Sequence, residues 1–412
     1  MDETETTDRA FSAEEKEALT DWLVEQGLKA ETLAAVFDGL CARLVALGLP
    51  LLRGHTSVTT IHPNFSGLGC TWWRSGDAES ERYQHIDTSL DRRWHQSPFR
   101  VMVEEGVPRL RRRLVGPKAK LDFPVLEEFR ARGGTDWLAQ ILAFRRLDEA
   151  AEIQGIIFSW LSDAPEGFTA EQKRLLDWLV PRMALVAYRI GAEQVAVNVL
   201  DAYVGRDAGR RILRGQIQRG AAVGLDAAIL FADLRGFTAM TESLPGDRVM
   251  AGLNAYLGSI TDAVEARGGE VLKFLGDGLL AVFSLAGREL EAVCGDALDA
   301  AEDALADNAV INLRRRKAGE PALSLDLALH VGEVMYGNVG SASRLDFTVI
   351  GPAVNEASRM EALCDPLDCP LILSEPFARA CGRPLRSLGR HVLRGIAGEK
   401  ELFTTVGDDG DV

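Results

Sequence analysis

The sequence predicts an α+β protein in two parts, the second a mostly antiparallel sheet packed under long helices. Three observations lead there. From residue 225 onward, strand-like apolar runs alternate with long helical stretches. All seven tryptophans lie at or before Trp178, so the two parts have different cores. The apolar run Ile229-Leu230-Phe231-Ala232 meets Asp233 just ahead of Leu234-Arg235-Gly236-Phe237-Thr238. An aspartate placed so is either an ordinary turn or helix-cap residue or the holder of a metal ion, and the rest of the chain must decide.

Taken in order, Ser12-Ala13-Glu14-Glu15 fits a capping box and starts a helix that runs to about Gln26. A second helix spans roughly 30–47. Alternating stretches at 57–61, 69–73 and 155–160 read as strands. Thr169-Ala170-Glu171-Gln172 is another capping box, and Leu175, Leu176, Leu179, Met183 and Val186 follow it at helical spacing, with a kink expected at Pro181. Residues 190–223 form a connection that carries Arg206, Arg210, Arg211, Arg214 and Arg219, a basic island in an acidic chain. Beyond it, strands are predicted at 227–233, 270–275, 279–285, 324–332 and 345–350, with helices at 245–267, 288–316 and 353–362.

The chain has 412 residues and 47% hydrophobic content, enough for two or three domains with buried cores. A net charge of −15 argues against a general nucleic-acid or anionic-membrane binder, while leaving room for a nucleotide held by local positive charge. No window approaches 18 uninterrupted apolar residues, so no transmembrane segment is predicted. The opening MDETETTDRA is acidic and polar, unlike a secretory signal. The six cysteines are scattered, and Cys364 and Cys369, across Asp365-Pro366, lack the spacing of a zinc pair. A reduced cytoplasmic protein is the expectation.

Asp233 acquires a partner in "GGEVLKFLGDGLLAVFSL" (268–285), where Asp277 sits in Gly276-Asp277-Gly278 between two apolar runs. Alone, that is an ordinary hairpin turn. A hairpin tip beside a neighbouring strand end, however, lets two carboxylates converge and hold magnesium through oxygen ligands. A two-metal site serves in-line phosphoryl displacement. Gly236 permits a tight turn, Thr238 can cap the helix that follows, and the backbone N–H groups of 234–238 can approach phosphates.

"FADLRGFT", then "KFLGDG", "LALHVGEVMYGNVGS" and "TVIGPAVNEASRMEAL" together resemble the class III nucleotidyl cyclase catalytic domain over roughly 225–405. The resemblance implies a ferredoxin-like core over 224–412. It also implies a homodimer with active sites at a head-to-tail interface, and conversion of a nucleoside triphosphate to its 3′,5′-cyclic monophosphate and pyrophosphate. It assigns Asp233 and Asp277 to two Mg²⁺ or Mn²⁺ ions, with the Leu234 carbonyl as an extra ligand. Asn355 and Arg359, one helical turn apart, then position the ribose and stabilise charge at the α-phosphate. Lys273 matches the adenine-selecting lysine, where guanylate cyclases usually carry Glu; Thr348 stands where many adenylate cyclases have Asp and a bacterial subgroup, often linked to bicarbonate sensitivity, has Thr or Ser. ATP is the implied substrate. A guanylate cyclase and a non-catalytic nucleotide sensor of the same fold are the alternatives. Pro352 departs from the family pattern but suits a helix entrance. The γ-phosphate lysine has no secure match, with Arg394 and Lys400 as candidates, and Arg235 has no side-chain role that the pattern supplies.

"GIIFSWLSDAPEGFTAEQKRLLDWLVPRM" resembles the end of a GAF domain, a small-molecule-binding α/β module. That resemblance implies a regulatory domain over 35–190, preceded by a helical segment (1–34) and followed by a signalling helix and transducer linker (191–223). His55, His62, Cys70, His85 and His95 lack ligand spacing and read as surface or packing residues. Trp72, Trp73 and Trp94 read as core, with a ligand pocket as the other option.

Overall fold

The computed structural model describes residues 10–29, 32–59, 65–76, 79–84, 92–143 and 155–406. His62 and His85 lie outside them, as do residues 60–61 of the first expected strand. The chain divides into two compact units, Met1–Val199 and Leu200–Val412.

The first unit contains α1 (Ala13–Lys29), α2 (Leu33–Ala46), β1 (Leu51–Thr59), β2 (Phe65–Trp73), β3 (Glu79–Gln84), α3 (Arg92–His95), α4 (Pro98–Glu104), β4 (Arg109–Arg113), α5 (Pro124–Ala131), β5 (Asp136–Ala143), β6 (Gly155–Ser162) and most of α6 (Ala170–Val204). Both capping boxes form. Ser12 and Glu15 exchange bonds of 2.8 and 3.1 Å, and Thr169 and Gln172 exchange bonds of 3.0 and 3.2 Å. The helix of the second box continues through Pro181 to Val204. The strands form one antiparallel sheet ordered β3-β2-β1-β6-β5-β4. α1, α2 and α6 supply the apolar side chains over one face, and α4 and α5 supply those of a second cluster. A Cβ at Gly54 would come within 2.8 Å of the Cys41 sulfur, so its missing side chain is what lets α2 lie on β1. Trp72, Trp137 and Trp160 are buried core residues, and His55 is buried with its Nδ1 2.8 Å from Thr71 Oγ1.

The second unit runs through α7 (Arg206–Leu213), β7 (Ala222–Arg235), α8 (Phe237–Ser243), α9 (Gly246–Ala266), β8 (Glu270–Leu275), β9 (Gly278–Ser284), α10 (Leu290–Lys317), β10 (Ser324–Gly340), β11 (Leu345–Ile350), α11 (Pro352–Glu361), β12 (Leu371–Ser374), α12 (Glu375–Ala380), β13 (Leu385–Val392) and β14 (Glu399–Thr405). Its sheet is ordered β13-β14-β12-β10-β7-β9-β8, with β11 paired to β10. The run β7-α9-β8-β9-α10-β10, with strand order β10-β7-β9-β8, is the ferredoxin-like βαββαβ arrangement. Alternation along β7 sorts its side chains. Ala228, Leu230, Ala232 and Leu234 join the core under α9 and α10, while Ala227 and Ile229 join the opposite cluster with α7, β11 and α11. Asp233 belongs to that opposite face.

Residues 200–223, expected as connection, are largely part of this unit. Ala208 of α7 is buried in its core, and the Asp207 N–H donates to Glu270 Oε1 at 2.8 Å. All six cysteines are buried free thiols.

Candidate active site

β7 does not stop at Asp233; it runs two residues further, to Arg235. Gly236 then takes φ +91°, in the left-handed region that favours glycine, and α8 begins at Phe237. Thr238 is therefore not the helix cap that the sequence suggests. Gly236 holds the cap position, and Thr238 lies inside the helix, where its carbonyl accepts from Thr241 Oγ1 at 2.7 Å.

Asp277 stands on a two-residue turn between β8 and β9, closed by the pairing of Leu275 with Gly278. Gly276 has φ +75° and Asp277 does not have a positive φ, the pattern of a type II′ turn. Gly278 explains why this tip reaches β7. A Cβ there would lie 2.4 Å from the Ala232 carbonyl oxygen and 2.8 Å from Asp233 Oδ1, so only glycine permits the approach. Burial first, then the charge of Asp277, holds the Asp233 carboxyl above its ordinary range, and Asp326 adds to the push; a bond from the Leu234 N–H pulls the other way.

Neither Asp233 nor Asp277 has an ion-pair partner among the described residues. Two neighbouring uncompensated carboxylates form an all-oxygen donor set that suits Mg²⁺ or Mn²⁺. Among the described residues no three His, Cys, Asp or Glu side chains are grouped to hold a metal ion. A cation here would thus complete its shell with backbone carbonyl, water and substrate phosphate, as magnesium commonly does.

β11 lies against β8. Lys273 Nζ stands 3.5 Å from Asp346 Oδ2, two residues before Thr348 on the same face of β11. Thr348 is buried opposite Gly337, and its Oγ1 has no hydrogen-bond partner among the described residues. Lys273 thus meets β11 two residues from Thr348, whose hydroxyl is unsatisfied among the described residues.

α11 starts as expected, with Pro352 in its first turn after Gly351. Ala353, Ala357 and Met360 turn inward, which leaves Asn355 and Arg359 exposed together on the outer side. Among the described residues, no ion pair joins Arg359 to Asp233 or Asp277.

The comparisons with known proteins fit this geometry. Residues 224–371 match the family model described as the adenylate and guanylate cyclase catalytic domain. This segment is a class III nucleotidyl cyclase catalytic domain. Relatives include an adenylate cyclase of Anabaena cylindrica, 34% identical over 168 residues, which are 41% of this chain and 33% of that protein. Adenylate cyclase 1 of Rhizobium meliloti is 27% identical over 218 residues, 52% of this chain and 32% of its own. The match thus spans about a third of each of these relatives. Among solved structures, the adenylyl cyclase CyaB from P. aeruginosa aligns at 23% identity with a TM-score of 0.42, covering 47% of this chain and 99% of that one. No helix among the described residues is long and apolar enough to cross a membrane.

The cyclase domain also holds two carboxylates that the sequence reading passed over. Asp326 of β10 stands directly opposite Asp233 in the ladder and is 4% exposed. Glu361, at the end of α11, is pushed up to about 7 by burial and by the charges of Asp233, Asp326 and Asp277. The signals were present: a lone aspartate inside the apolar run of "SLDLALH", and a glutamate next to the inward stripe 353, 357, 360. Arg235, without a role in the sequence, forks onto Asp326 at 2.6 and 2.9 Å and reaches Asp365 at 2.9 Å. Of the two γ-phosphate candidates, Lys400 pairs with Glu356 at 3.2 Å and Arg394 is exposed.

Proposed function

We propose that the chain is an adenylate cyclase that converts ATP to 3′,5′-cyclic AMP and pyrophosphate and works as a homodimer. One observation carries this above the others: Asp233 and Asp277 sit side by side on the cyclase sheet with no counter-charge among the described residues. These two residues, with the Leu234 carbonyl, would hold the divalent cations. Such ions supply Lewis acidity toward the ribose 3′-hydroxyl and charge neutralisation for the triphosphate.

The chain's own residues do the rest. Lys273 donates to adenine N1, and the unsatisfied Thr348 hydroxyl accepts from the 6-amino group, a pairing that guanine reverses at N1. Arg359 offers a fixed guanidinium to the charge that grows on the α-phosphate, and Asn355 holds the ribose. The 3′-oxygen bonds to the α-phosphorus, the bond to the β-phosphate bridging oxygen breaks, and the hydroxyl proton leaves. Because Asn355 and Arg359 are exposed on the outer side of α11, they act on the partner copy's metal pair. Residues 234–238 approach the phosphates through backbone N–H groups, Gly236 making the turn that exposes them.

The first unit serves, in this reading, as a GAF-like regulatory domain, with α6 and α7 as the connection to the cyclase. Support comes from its helix-covered six-stranded sheet and from the bond that seats α7 on β8. Incubating the purified chain with Mn²⁺ or Mg²⁺ and either ATP or GTP tests the assignment. Cyclic AMP is expected, with cyclic GMP far behind; preference for GTP, or no cyclic product, refutes it.

A further inference from the structure

Arg235 gives the metal strand a second function. Asp233 and Asp326 are opposite residues on paired antiparallel strands, which places their Cβ atoms about 5 Å apart on one face. Asp277 and Glu361 share the same field. A bare Asp326 would present a third carboxylate beside Asp233, free to take a cation for itself. Instead both its oxygens are occupied: Arg235 Nη2 reaches Oδ1 at 2.6 Å and Nε reaches Oδ2 at 2.9 Å. That is the bidentate geometry in which arginine surpasses lysine. The remaining Nη1 turns to Asp365, just beyond α11, at 2.9 Å.

We propose that Arg235 is a positioning residue: by capping Asp326 it cancels that charge and confines the divalent cation to Asp233 and Asp277. The inference rests on the proposed metal site. It makes the Arg235–Asp326 pair, rather than the geometry of Asp233 alone, responsible for where the cation sits. The Arg235 side chain, committed to Asp326 and Asp365, is separate from the backbone N–H that faces the phosphates; it acts through the field at Asp233.

The test is a Mn²⁺ titration of the full chain without nucleotide, with free Mn²⁺ read by electron paramagnetic resonance. R235Q exposes one extra negative charge, so it should bind Mn²⁺ about tenfold more tightly or gain an additional bound ion, as the Coulomb term at a few ångströms requires. D326N removes the buried charge that Arg235 neutralises and leaves the guanidinium to Asp365, so one net positive charge is gained beside Asp233 and binding should weaken by a similar factor. The double variant R235Q/D326N, with both charges gone, should return to within about twofold of the parent. A merely structural tie would not be repaired by removing the second partner. Parental Mn²⁺ affinity in both R235Q and D326N, or a double variant that fails to return, overturns the proposal. If R235Q does not fold, D326N alone still decides it. D233N separates the two levels of the argument: unchanged Mn²⁺ binding in D233N would refute the metal site itself, whatever Arg235 does.

Discussion

Two aspartates, one in each unit, make opposite use of burial. Asp136 in β5 is fully buried and held by three donors: Arg111 donates through Nε and Nη2 at 3.0 and 2.7 Å, and the Phe168 N–H donates at 2.9 Å. Arg113 Nη1 adds its charge at 3.9 Å. Asp233 in β7 is half-buried beside Asp277, with no cation among the described residues to answer either charge. A protein that stabilises one buried carboxylate with three donors and leaves another in a like-charge pair has different uses for them. The first holds the sheet to the start of α6. The second keeps its lone pairs free for something that arrives.

The comparison breaks most sharply under substitution. Asp233→Asn should lower cyclase turnover by at least about 100-fold, the scale of losing one group that stabilises transition-state charge. Its melting temperature should hold or rise, because a repulsion is relieved. Asp136→Asn should do the reverse, costing about 3 kcal/mol of stability by stranding Arg111 while the catalytic constants of the folded fraction stay put. Denaturant unfolding and initial rates on both variants decide it. If Asp233→Asn is the less stable protein, the contrast is wrong.

The shared-site arrangement gives the next effect. Lys273 and Asp277 are four residues apart, yet the proposal places them in opposite sites of the dimer. Lys273→Ala and Asp277→Ala chains should each be inactive. Mixed in equal amounts with exchange of subunits, they should recover about a quarter of parental activity, since half the dimers are mixed and each has one intact site. A mixture as inactive as its components rules out sites shared between chains.

Much of the cyclase half was legible because its elements carry clean periods. β8 and β11 fall at the predicted residues, and α9, α10 and α11 within two residues at each end. From sequence, β10 is predicted to end at residue 332. The strand continues to Gly340, and Gly337 is there because a Cβ would lie 2.2 Å from the Ala221 carbonyl oxygen. β13 escaped because its half-exposed residues have no two-residue alternation. β4 escaped because "RLRRR" reads as a charged loop. Its arginines are paired across space with Asp177, Asp136 and Asp122, partners that no local pattern reveals. The same blindness hid Asp326 and Glu361. Motif spacing singles out Asp233 and Asp277, whereas the local signals at Asp326 and Glu361 acquire meaning only when β10 and α11 fold against β7.

The first unit offers a smaller effect through His55. Burial, then the charge of Arg53, lowers its pKa to about 3 from an ordinary 6.5. Between those values the unfolded chain binds a proton that the folded chain refuses, so stability is complete above pH 6.5 and declines as pH falls toward 3. At pH 5 the loss is about 2 kcal/mol from this residue. Urea unfolding of the parent and of His55→Asn between pH 7.5 and 5 should show the variant with a shallower decline. Parallel declines would mean that His55 already carries its proton in the fold.

Thr348 sharpens the comparison at its finest scale, because its hydroxyl is a buried polar group with no partner, the neutral counterpart of Asp233. Thr348→Val keeps the shape and removes the oxygen. If the hydroxyl had a structural bond, the change would cost stability; an unsatisfied one leaves stability equal or slightly higher. Its use would then appear only with nucleotide bound. The ratio of kcat/KM for ATP to that for GTP should fall about tenfold, the value of one lost hydrogen bond to a base edge. Lys273 stays in place in this variant, so ATP should remain the better substrate. A variant that is destabilised with an unchanged ATP-to-GTP ratio would make Thr348 a packing residue and leave base choice to Lys273 alone.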